Sequence, residues 1–246
     1  MKVVIIVQAR MTSTRLPGKV LKLVLNKPLL EYQIERLQRV RNADMIVVAT
    51  TMNATDDAIV ELCDRLGIAT YRGSEQDVLS RYAGAAHAYG ADVIVRVTSD
   101  CPLIDPRVIE QIIQTYLEHT TSYDYVSNCL ERTYPRGMDA EVFSVALLRE
   151  AFDQATDLPD REHVTPFIYR QPDRYRLGHV RYLKDQATHR WTVDTTEDFT
   201  LVKKMLEVLY PQLPQFTLED CLELLERNPE WSDINSKIEQ KQYGEL

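Results

Sequence analysis

Short apolar runs alternate, along the first hundred residues, with segments whose apolar positions recur every three or four residues. The runs VVIIV at 3–7, MIVVAT at 45–50, IATYRG at 68–73 and VIVRV at 93–97 have the length of strands. The helical spacing falls at 29–40, 56–66 and 77–89. This alternation predicts an α/β fold with a doubly wound, mostly parallel sheet, whose ligands bind at the carboxyl ends of the strands.

The pattern changes after residue 105. A helix is predicted at 106–118, and the segment TYPRGMDAEVF at 133–143 alternates in a way that indicates an embedded antiparallel β insertion. Further helices are predicted at 144–155 and 199–209, with strands within 174–183 and at 190–193. We therefore expect residues 1–210 to form one domain and residues 211–246 a peripheral helical tail.

Residues that commonly begin helices mark several of these boundaries. Thr55 is a plausible N-cap for the helix at 56–66, and Asp105 precedes Pro106 at the start of the next long helix. Asp194 or Thr195 can cap the helix that follows the strand at 190–193. Each of these side chains thus has a structural role open to it, which must be weighed against any chemical role.

Composition narrows the class of ligand. Hydrophobic residues make up 44% of the 246, enough for a sizeable core. The net charge of −8 argues against binding to nucleic acid or to a membrane surface, since both need a basic field. The four cysteines contain no CxxC pair, and no apolar run is long enough to span a bilayer. We expect a cytoplasmic protein with reduced thiols and a small-molecule substrate.

A basic loop follows the first strand. Its sequence, QARMTSTRLPGK at 8–19, contains Ala9, Arg10, Arg15 and Lys19 where an α/β sheet commonly holds phosphate. It matches neither GxGxxG nor GxxxxGK[ST], so a dinucleotide dehydrogenase and a P-loop NTPase are disfavoured. The three cations would instead neutralise the phosphates directly. The alternative is a cluster of solvated surface charges without a ligand.

Six blocks of the sequence, in order, resemble one enzyme family. They are ARMTSTRLPGKVL, RGSEQDVLSRY, VTSDCPLID, YPRGMDAEVF, REHVTPFIY and RWTVDTTEDF, which together cover roughly residues 3 to 205. The chain resembles the sugar-activating cytidylyltransferases, which include the CMP-Kdo and CMP-N-acylneuraminate synthetases, and most of all their branch of SpsF-like spore coat polysaccharide biosynthesis proteins. The resemblance implies a sheet related to the GT-A (nucleotide-diphospho-sugar transferase) fold. It also implies that a sugar hydroxyl attacks the α-phosphate of CTP and releases pyrophosphate, for surface polysaccharide or glycan synthesis. A homodimer is compatible with it.

The resemblance assigns roles to individual residues. Arg10, Lys19 and Asp100 are implied as catalytic, and Asp100 and Asp194 as the ligands of Mg²⁺, which prefers carboxylate oxygens. Asp194 has the alternative role of a helix N-cap. The implied nucleotide-binding residues are Ala9, Arg10, Arg15, Lys19, Gly73, Ser74 and Glu75.

Two of these assignments have weaker support. Gly73, Ser74 and Glu75 could equally form a capping segment for the helix at 77–89. Thr98 and Ser99 stand where the Kdo enzymes typically carry a Gln-Gly pair, so base contacts cannot be carried over there. Selectivity for CTP is therefore less secure than the class of reaction.

The acceptor sugar is expected to meet charged side chains from two blocks. The candidate residues are Arg136, Asp139, Glu141, Glu162 and His163. Arginine can hold a carboxylate through two hydrogen bonds, while carboxylates accept bonds from hydroxyls, so an acidic sugar is favoured. Asp139 and Glu141 could instead form the solvated face of a strand, and His163 could be a base or a structural residue.

Two other functions remain open from the sequence. A GT-A glycosyltransferase would be favoured by a DxD pair, which the segment SDCP at 99–102 does not provide. A non-catalytic nucleotide-binding paralogue is disfavoured because Arg10, Arg15, Lys19, Asp100 and Asp194 occur together.

Overall fold

The computed structural model describes residues 1–240. The strands are β1 Val3–Gln8, β2 Leu23–Val24, β3 Lys27–Pro28, β4 Met45–Thr51, β5 Ala69–Gly73, β6 Val93–Thr98, β7 Tyr125–Ser127, β8 Glu141–Ser144 and β9 Leu177–His179. The helices are α1 Leu29–Leu37, α2 Asp57–Leu66, α3 Val78–Ala88, α4 Pro106–Glu118, α5 Val145–Gln154, α6 Leu158–His163, α7 Pro166–Tyr169, α8 Thr196–Gln212 and α9 Leu218–Arg227.

Seven strands form one sheet in the order β5-β4-β1-β6-β8-β7-β9. Strands β5, β4, β1 and β6 are parallel, and β8 runs antiparallel to both of its neighbours, β6 and β7. Strand β9 pairs with β7 in the parallel direction. The predicted α/β class and mostly parallel sheet are confirmed, and the β insertion extends this sheet rather than forming a separate layer.

The apolar strand β1 lies at the centre of the sheet and contributes side chains to the apolar cores on both faces. Val3, Ile5 and Val7 are buried in the core on one face, and Val4 and Ile6 in the core on the other, because successive strand residues point to opposite sides. Helices α1, α2, α4, α8 and α9 contribute to the first core, and α3 and α5 to the second. The doubly wound arrangement therefore follows from continuous, rather than alternating, apolar strands.

Several predicted boundaries differ from the observed ones. Helix α1 ends at Leu37 rather than at residue 40, because the chain turns where the Val40 amide donates to the Leu37 carbonyl. Helix α2 has Asp56, not Thr55, at its N-cap position. The predicted strand at 190–193 is absent, and only a single bridge joins Arg190 to Arg136. The other predicted caps, Asp105 for α4 and Thr195 for α8, are present.

The C-terminal part of the chain packs on the same core. Helix α8 runs through the predicted domain boundary at residues 210 and 211, with Pro211 inside it. Helix α9 buries Leu218, Cys221, Leu224 and Leu225 in the core that also contains β1. Residues 241–246 of the predicted tail lie outside the described part of the chain. Within residues 1–240, no helix combines the length and the apolar character needed to cross a bilayer.

Candidate active site

A cavity of about 640 Å³ opens at the carboxyl ends of β1 and β6, within the usual size range of small-molecule sites. Its lining includes eleven of the fourteen site residues predicted from the sequence: Ala9, Arg10, Arg15, Lys19, Asp100, Arg136, Asp139, Glu141, Glu162, His163 and Asp194. Gly73, Ser74 and Glu75 do not line it. The tertiary structure thus brings the basic loop, the two aspartates and the predicted sugar-binding residues to one place.

The basic loop is held in a closed turn beside the sheet. The Gly18 amide donates to the Met11 carbonyl at 2.8 Å, and Gly18 has a φ of +68°, which favours glycine. The Met11 amide donates to Asp56 at 2.8 Å, and Asp56 also accepts bonds from Thr50 and Thr51 at the end of β4. This network directs the cationic side chains of the loop into the cavity.

Lys19 bridges the two aspartates. Its Nζ lies 3.0 Å from Asp100 Oδ2 and 2.7 Å from Asp194 Oδ1. Burial favours the neutral amine, but the two carboxylates outweigh it and raise the pKa of Lys19. Burial would likewise raise the pKa of Asp100, yet the neighbouring Lys19 charge and a hydrogen bond from Thr98 lower it. Lys19 and Asp100 are therefore both charged at neutral pH.

Asp194 is fixed by two further cations. Arg15 Nη2 lies 3.0 Å and Arg190 Nη2 2.8 Å from its Oδ2 atom. Because Thr195 is the N-cap of α8, the Asp194 carboxylate does not cap that helix, which removes the structural alternative raised by the sequence. Its segment lies beside Asp100 because the Val193 amide donates to the Asp100 carbonyl at 2.8 Å.

The donor set suits a divalent cation that is completed by its substrate. Within residues 1–240, no group of three or more His, Cys, Asp or Glu side chains is placed to hold a metal. Asp100 and Asp194 nevertheless both contact one cation, the Lys19 ammonium, so the two carboxylates lie side by side at the same edge of the cavity. Mg²⁺ is commonly held by one or two carboxylates together with substrate phosphates. The pair therefore fits Mg²⁺ bound with a nucleotide.

The GSE segment supports two arginines instead of lining the cavity. The Glu75 carboxylate accepts hydrogen bonds from Thr12 and Asn53 and pairs with Arg10 at 3.6 Å. The Ser74 carbonyl accepts a bond from Arg81, and its hydroxyl accepts one from the Asp77 amide at the start of α3. The segment thus takes the capping role considered above and also positions cavity side chains.

Glu141 lies at the floor of the cavity and is only 5% exposed. Its Oε1 accepts bonds from Tyr125 and Thr165, and its Oε2 pairs with Arg96. Both oxygens are therefore occupied by protein donors, so its contribution to a sugar site would be to hold the neighbouring groups in place. Arg96 is the one charged residue of the apolar strand β6. Its position could have indicated a site residue, but the sequence pattern was not interpreted in that way.

Two other predicted sugar-binding groups differ in how they are paired. Asp139 forms an ion pair with Arg132 at 2.5 Å, a partner that no sequence pattern indicated. Arg136 is half-buried, and burial lowers its pKa. No carboxylate of residues 1–240 forms an ion pair with the Arg136 side chain. Arg136 therefore presents its guanidinium to the cavity without a direct carboxylate partner among these residues, although the Asp139 charge acts on it.

His163 reaches the cavity next to a strained turn. Val164 has a φ of +74° and ψ of −54°, and the Thr165 amide donates to the His163 carbonyl at 2.9 Å, which defines a γ-turn. This conformation is unfavourable for a β-branched residue, and the full burial of Val164 holds it there. Burial also lowers the pKa of His163, so its ring is neutral at neutral pH.

Comparisons with known proteins show the family to which the chain belongs. The family model described as Cytidylyltransferase matches residues 4–236. The spore coat polysaccharide biosynthesis protein SpsF of Bacillus subtilis is 33% identical over 237 residues, which cover 93% of this chain and 95% of that protein. A 3-deoxy-manno-octulosonate cytidylyltransferase of Geobacter metallireducens is 29% identical over 178 residues, covering 67% of this chain and 69% of its own.

A solved structure gives the same result over nearly the whole length. A cytidylyltransferase from Leptospira borgpetersenii superposes with a TM-score of 0.90 at 33% identity, covering 98% of this chain and 100% of the other. The family model, the Bacillus relative and the solved structure each match nearly the whole chain, and the Geobacter relative matches 67% of it. The chain belongs to the cytidylyltransferase family.

Proposed function

We propose that this protein transfers the cytidylyl group of CTP to a hydroxyl of an acidic sugar and releases pyrophosphate. The observation that carries the proposal is the bridge of Lys19 between Asp100 and Asp194, beside the arginines of the basic loop. In the reaction, the sugar oxygen forms a bond to the α-phosphorus, the bond from that phosphorus to the bridging oxygen breaks, and the hydroxyl proton is released. Cations at the phosphates favour this step because negative charge moves to the leaving pyrophosphate.

The two aspartates would hold Mg²⁺, which lowers the charge density on the reacting phosphate and assists the attacking hydroxyl. Lys19, released from the carboxylates it now bridges, is in position to contact a phosphate oxygen. Arg15 is held against Asp194 and is 30% exposed, so its guanidinium can also meet the triphosphate. The chain thereby supplies both the ligands for the cation and the positive charges that orient the nucleotide.

The opposite end of the cavity supports an acidic acceptor. Arg136 has no carboxylate partner within residues 1–240, and a sugar carboxylate would supply one. Asp139 and Glu162 provide acceptors for hydroxyl groups, and neutral His163 could receive the proton of the attacking hydroxyl. The name of the Bacillus relative further supports a role in surface polysaccharide synthesis.

Measuring pyrophosphate release tests three points together: the class of reaction, the choice of nucleobase and the choice of acceptor sugar. We would incubate the protein with each of the four nucleoside triphosphates, with and without Mg²⁺, and with a panel of neutral and acidic sugars. We expect release only with CTP, Mg²⁺ and an acidic sugar. Release with every sugar, or with no sugar, would contradict transfer to a specific acceptor. No release from any triphosphate, together with sugar transfer from an added nucleotide sugar, would indicate a glycosyltransferase.

The phosphate-binding role of the loop predicts a difference between CTP and CMP. Replacing Arg10, Arg15 or Lys19 by Ala should weaken CTP binding more than CMP binding, because CMP lacks the β- and γ-phosphates. Each lost charge-assisted contact should lower the affinity for CTP by roughly tenfold to a hundredfold. We expect the largest loss for Lys19, which is 11% exposed, and the smallest for Arg10, which is 39% exposed. Calorimetric titration in Mg²⁺ at two salt concentrations measures both affinities.

Lys22→Ala is the matched control, because Lys22 follows the same loop but does not line the cavity. It should leave both affinities unchanged. If the loop variants lose CTP and CMP affinity equally, or if their effects are small and vanish at high salt, the three cations are solvated surface charges.

A further inference from the structure

Arg81, on the first turn of α3, is a buried cation without a carboxylate partner among residues 1–240. It lines the cavity, yet only 2% of its surface is exposed. One hydrogen bond, from Nη1 to the Ser74 carbonyl at 2.5 Å, anchors the guanidinium, and Nε has no partner in the described chain. A buried charge with so few hydrogen bonds is costly unless a ligand completes them.

The surrounding chain is built to hold this side chain. A Cβ added at Gly73 would lie 3.2 Å from Arg81 Cγ, so the glycine leaves room for the aliphatic part of the arginine. The carbonyl of the next residue, Ser74, then fixes the head group. The Gly73-Ser74 pair therefore serves to hold Arg81 rather than to contact a nucleotide directly.

Arg81 differs from the phosphate cations in its element and in its partners, although the Arg10 charge acts on it. Arg10, Arg15 and Lys19 all lie on the loop after β1, and the last two contact the aspartates at the proposed reaction centre. Arg81 comes from a different element and has neither aspartate as a partner. Val78, one turn earlier on α3, also lines the cavity and adds an apolar surface suited to the face of a flat ring.

We propose that Arg81 recognises the cytosine ring of CTP by donating to its O2 and N3 atoms. This inference rests on the proposed function. Cytosine presents two adjacent acceptors on this edge, which match two N–H donors of a guanidinium. Uracil carries a proton on N3 and would oppose a donor to it. Arg81 would therefore select CTP over UTP.

Arg36 offers a matched control. It is 3% exposed and also lacks a carboxylate partner within residues 1–240. It donates to the carbonyls of Ile104 and Phe216 and lies 4.0 Å from the centre of the Phe216 ring, outside the cavity. A variant at Arg36 therefore reproduces the loss of a buried arginine without touching the nucleotide.

The test is titration of the whole protein with CTP, UTP and CMP in Mg²⁺, for the wild type, Arg81→Met, Arg81→Lys and Arg36→Met. The wild type should bind CTP more tightly than UTP. In both Arg81 variants the ratio of the CTP affinity to the UTP affinity should fall by roughly tenfold or more, as is typical when two paired bonds to a base are removed. CTP and CMP should lose affinity by the same factor, because both carry cytosine. Arg36→Met should keep the preference, even if it lowers the unfolding temperature.

Several outcomes would overturn the proposal. Equal losses for CTP and UTP, or a greater loss for CTP than for CMP, would assign Arg81 to structure or to phosphate. An unchanged preference in folded Arg81→Lys would show that the paired donors are not used. A wild type that binds CTP and UTP equally would refute base selection, whereas a wild type that binds no nucleotide would refute the proposed function itself.

Discussion

Asp100→Asn and Asp194→Asn are each expected to lower turnover by ~100-fold or more, with the protein still folded. Each substitution removes a charge that would hold Mg²⁺ at the reacting phosphate, and Lewis-acid stabilisation of a phosphoryl oxygen contributes several kcal/mol. Neither carboxylate contributes to the apolar core. Pyrophosphate release with the acceptor found in the sugar panel measures the loss, and Mn²⁺ binding in the presence of CTP provides a second readout.

Asp105→Asn is the control for replacing a buried carboxylate. Asp105 is 1% exposed and accepts hydrogen bonds from the amides of Arg107 and Leu218, but it does not line the cavity. It should lower the free energy of unfolding by about 1–3 kcal/mol, because the amide keeps only one acceptor oxygen and loses the ion pair with Arg107, and leave turnover close to that of the wild type. If Asp100→Asn or Asp194→Asn behaves like Asp105→Asn, that aspartate is structural and the proposed metal site is wrong.

Gly137→Ala is expected to lower the free energy of unfolding by about 2–4 kcal/mol. Gly137 has a φ of +105°, and an added Cβ would lie 2.7 Å from the carbonyl carbon of Trp191 and 2.9 Å from the Thr192 nitrogen. Both contacts are with backbone, which cannot move aside as a flexible side chain would. The substitution would also separate Arg136 from the segment that carries Asp194, so turnover should fall together with stability.

Gly67→Ala is the control that measures the cost of a positive φ alone, without a close contact between the added Cβ and backbone. Gly67 also has a positive φ, +67°, but an added Cβ would meet nothing within 4 Å. Gly67→Ala should lower the free energy of unfolding by about 1 kcal/mol and leave turnover unchanged. Urea unfolding of the two variants gives the comparison, and equal losses at the two glycines would show that the contact between residue 137 and the 191–192 backbone is unimportant.

The α/β class and the parallel part of the sheet could be predicted because their signals are local. Each buried strand is a short continuous apolar run, and each helix repeats its apolar positions with a helical period. The exceptions are where tertiary contacts dominate. The segment 190–193 is extended but makes only a single bridge, because its backbone bonds go to Arg136 and Asp100 instead of to a neighbouring strand.

The candidate site was partly predictable for a related reason. Parallel strands place the residues that follow them at one edge of the sheet, so Lys19 and Asp100 could be expected near each other from β1 and β6. Nothing local could show that Glu141 has both oxygens occupied, or that Gly73 and Ser74 serve Arg81. Those facts depend on partners that are distant in the chain.

The sequence by itself determined the order of strands β1, β4, β5 and β6 and of the long helices between them, the basic loop after β1 and the resemblance to the cytidylyltransferases. Those features depend on residue type and spacing along the chain. The tertiary structure alone decided which charges meet: Lys19 between Asp100 and Asp194, Asp139 with Arg132, and Arg81 without a carboxylate among residues 1–240. The physical reason is that hydrogen bonds and ion pairs act over only a few ångströms, and folding chooses which distant residues come that close.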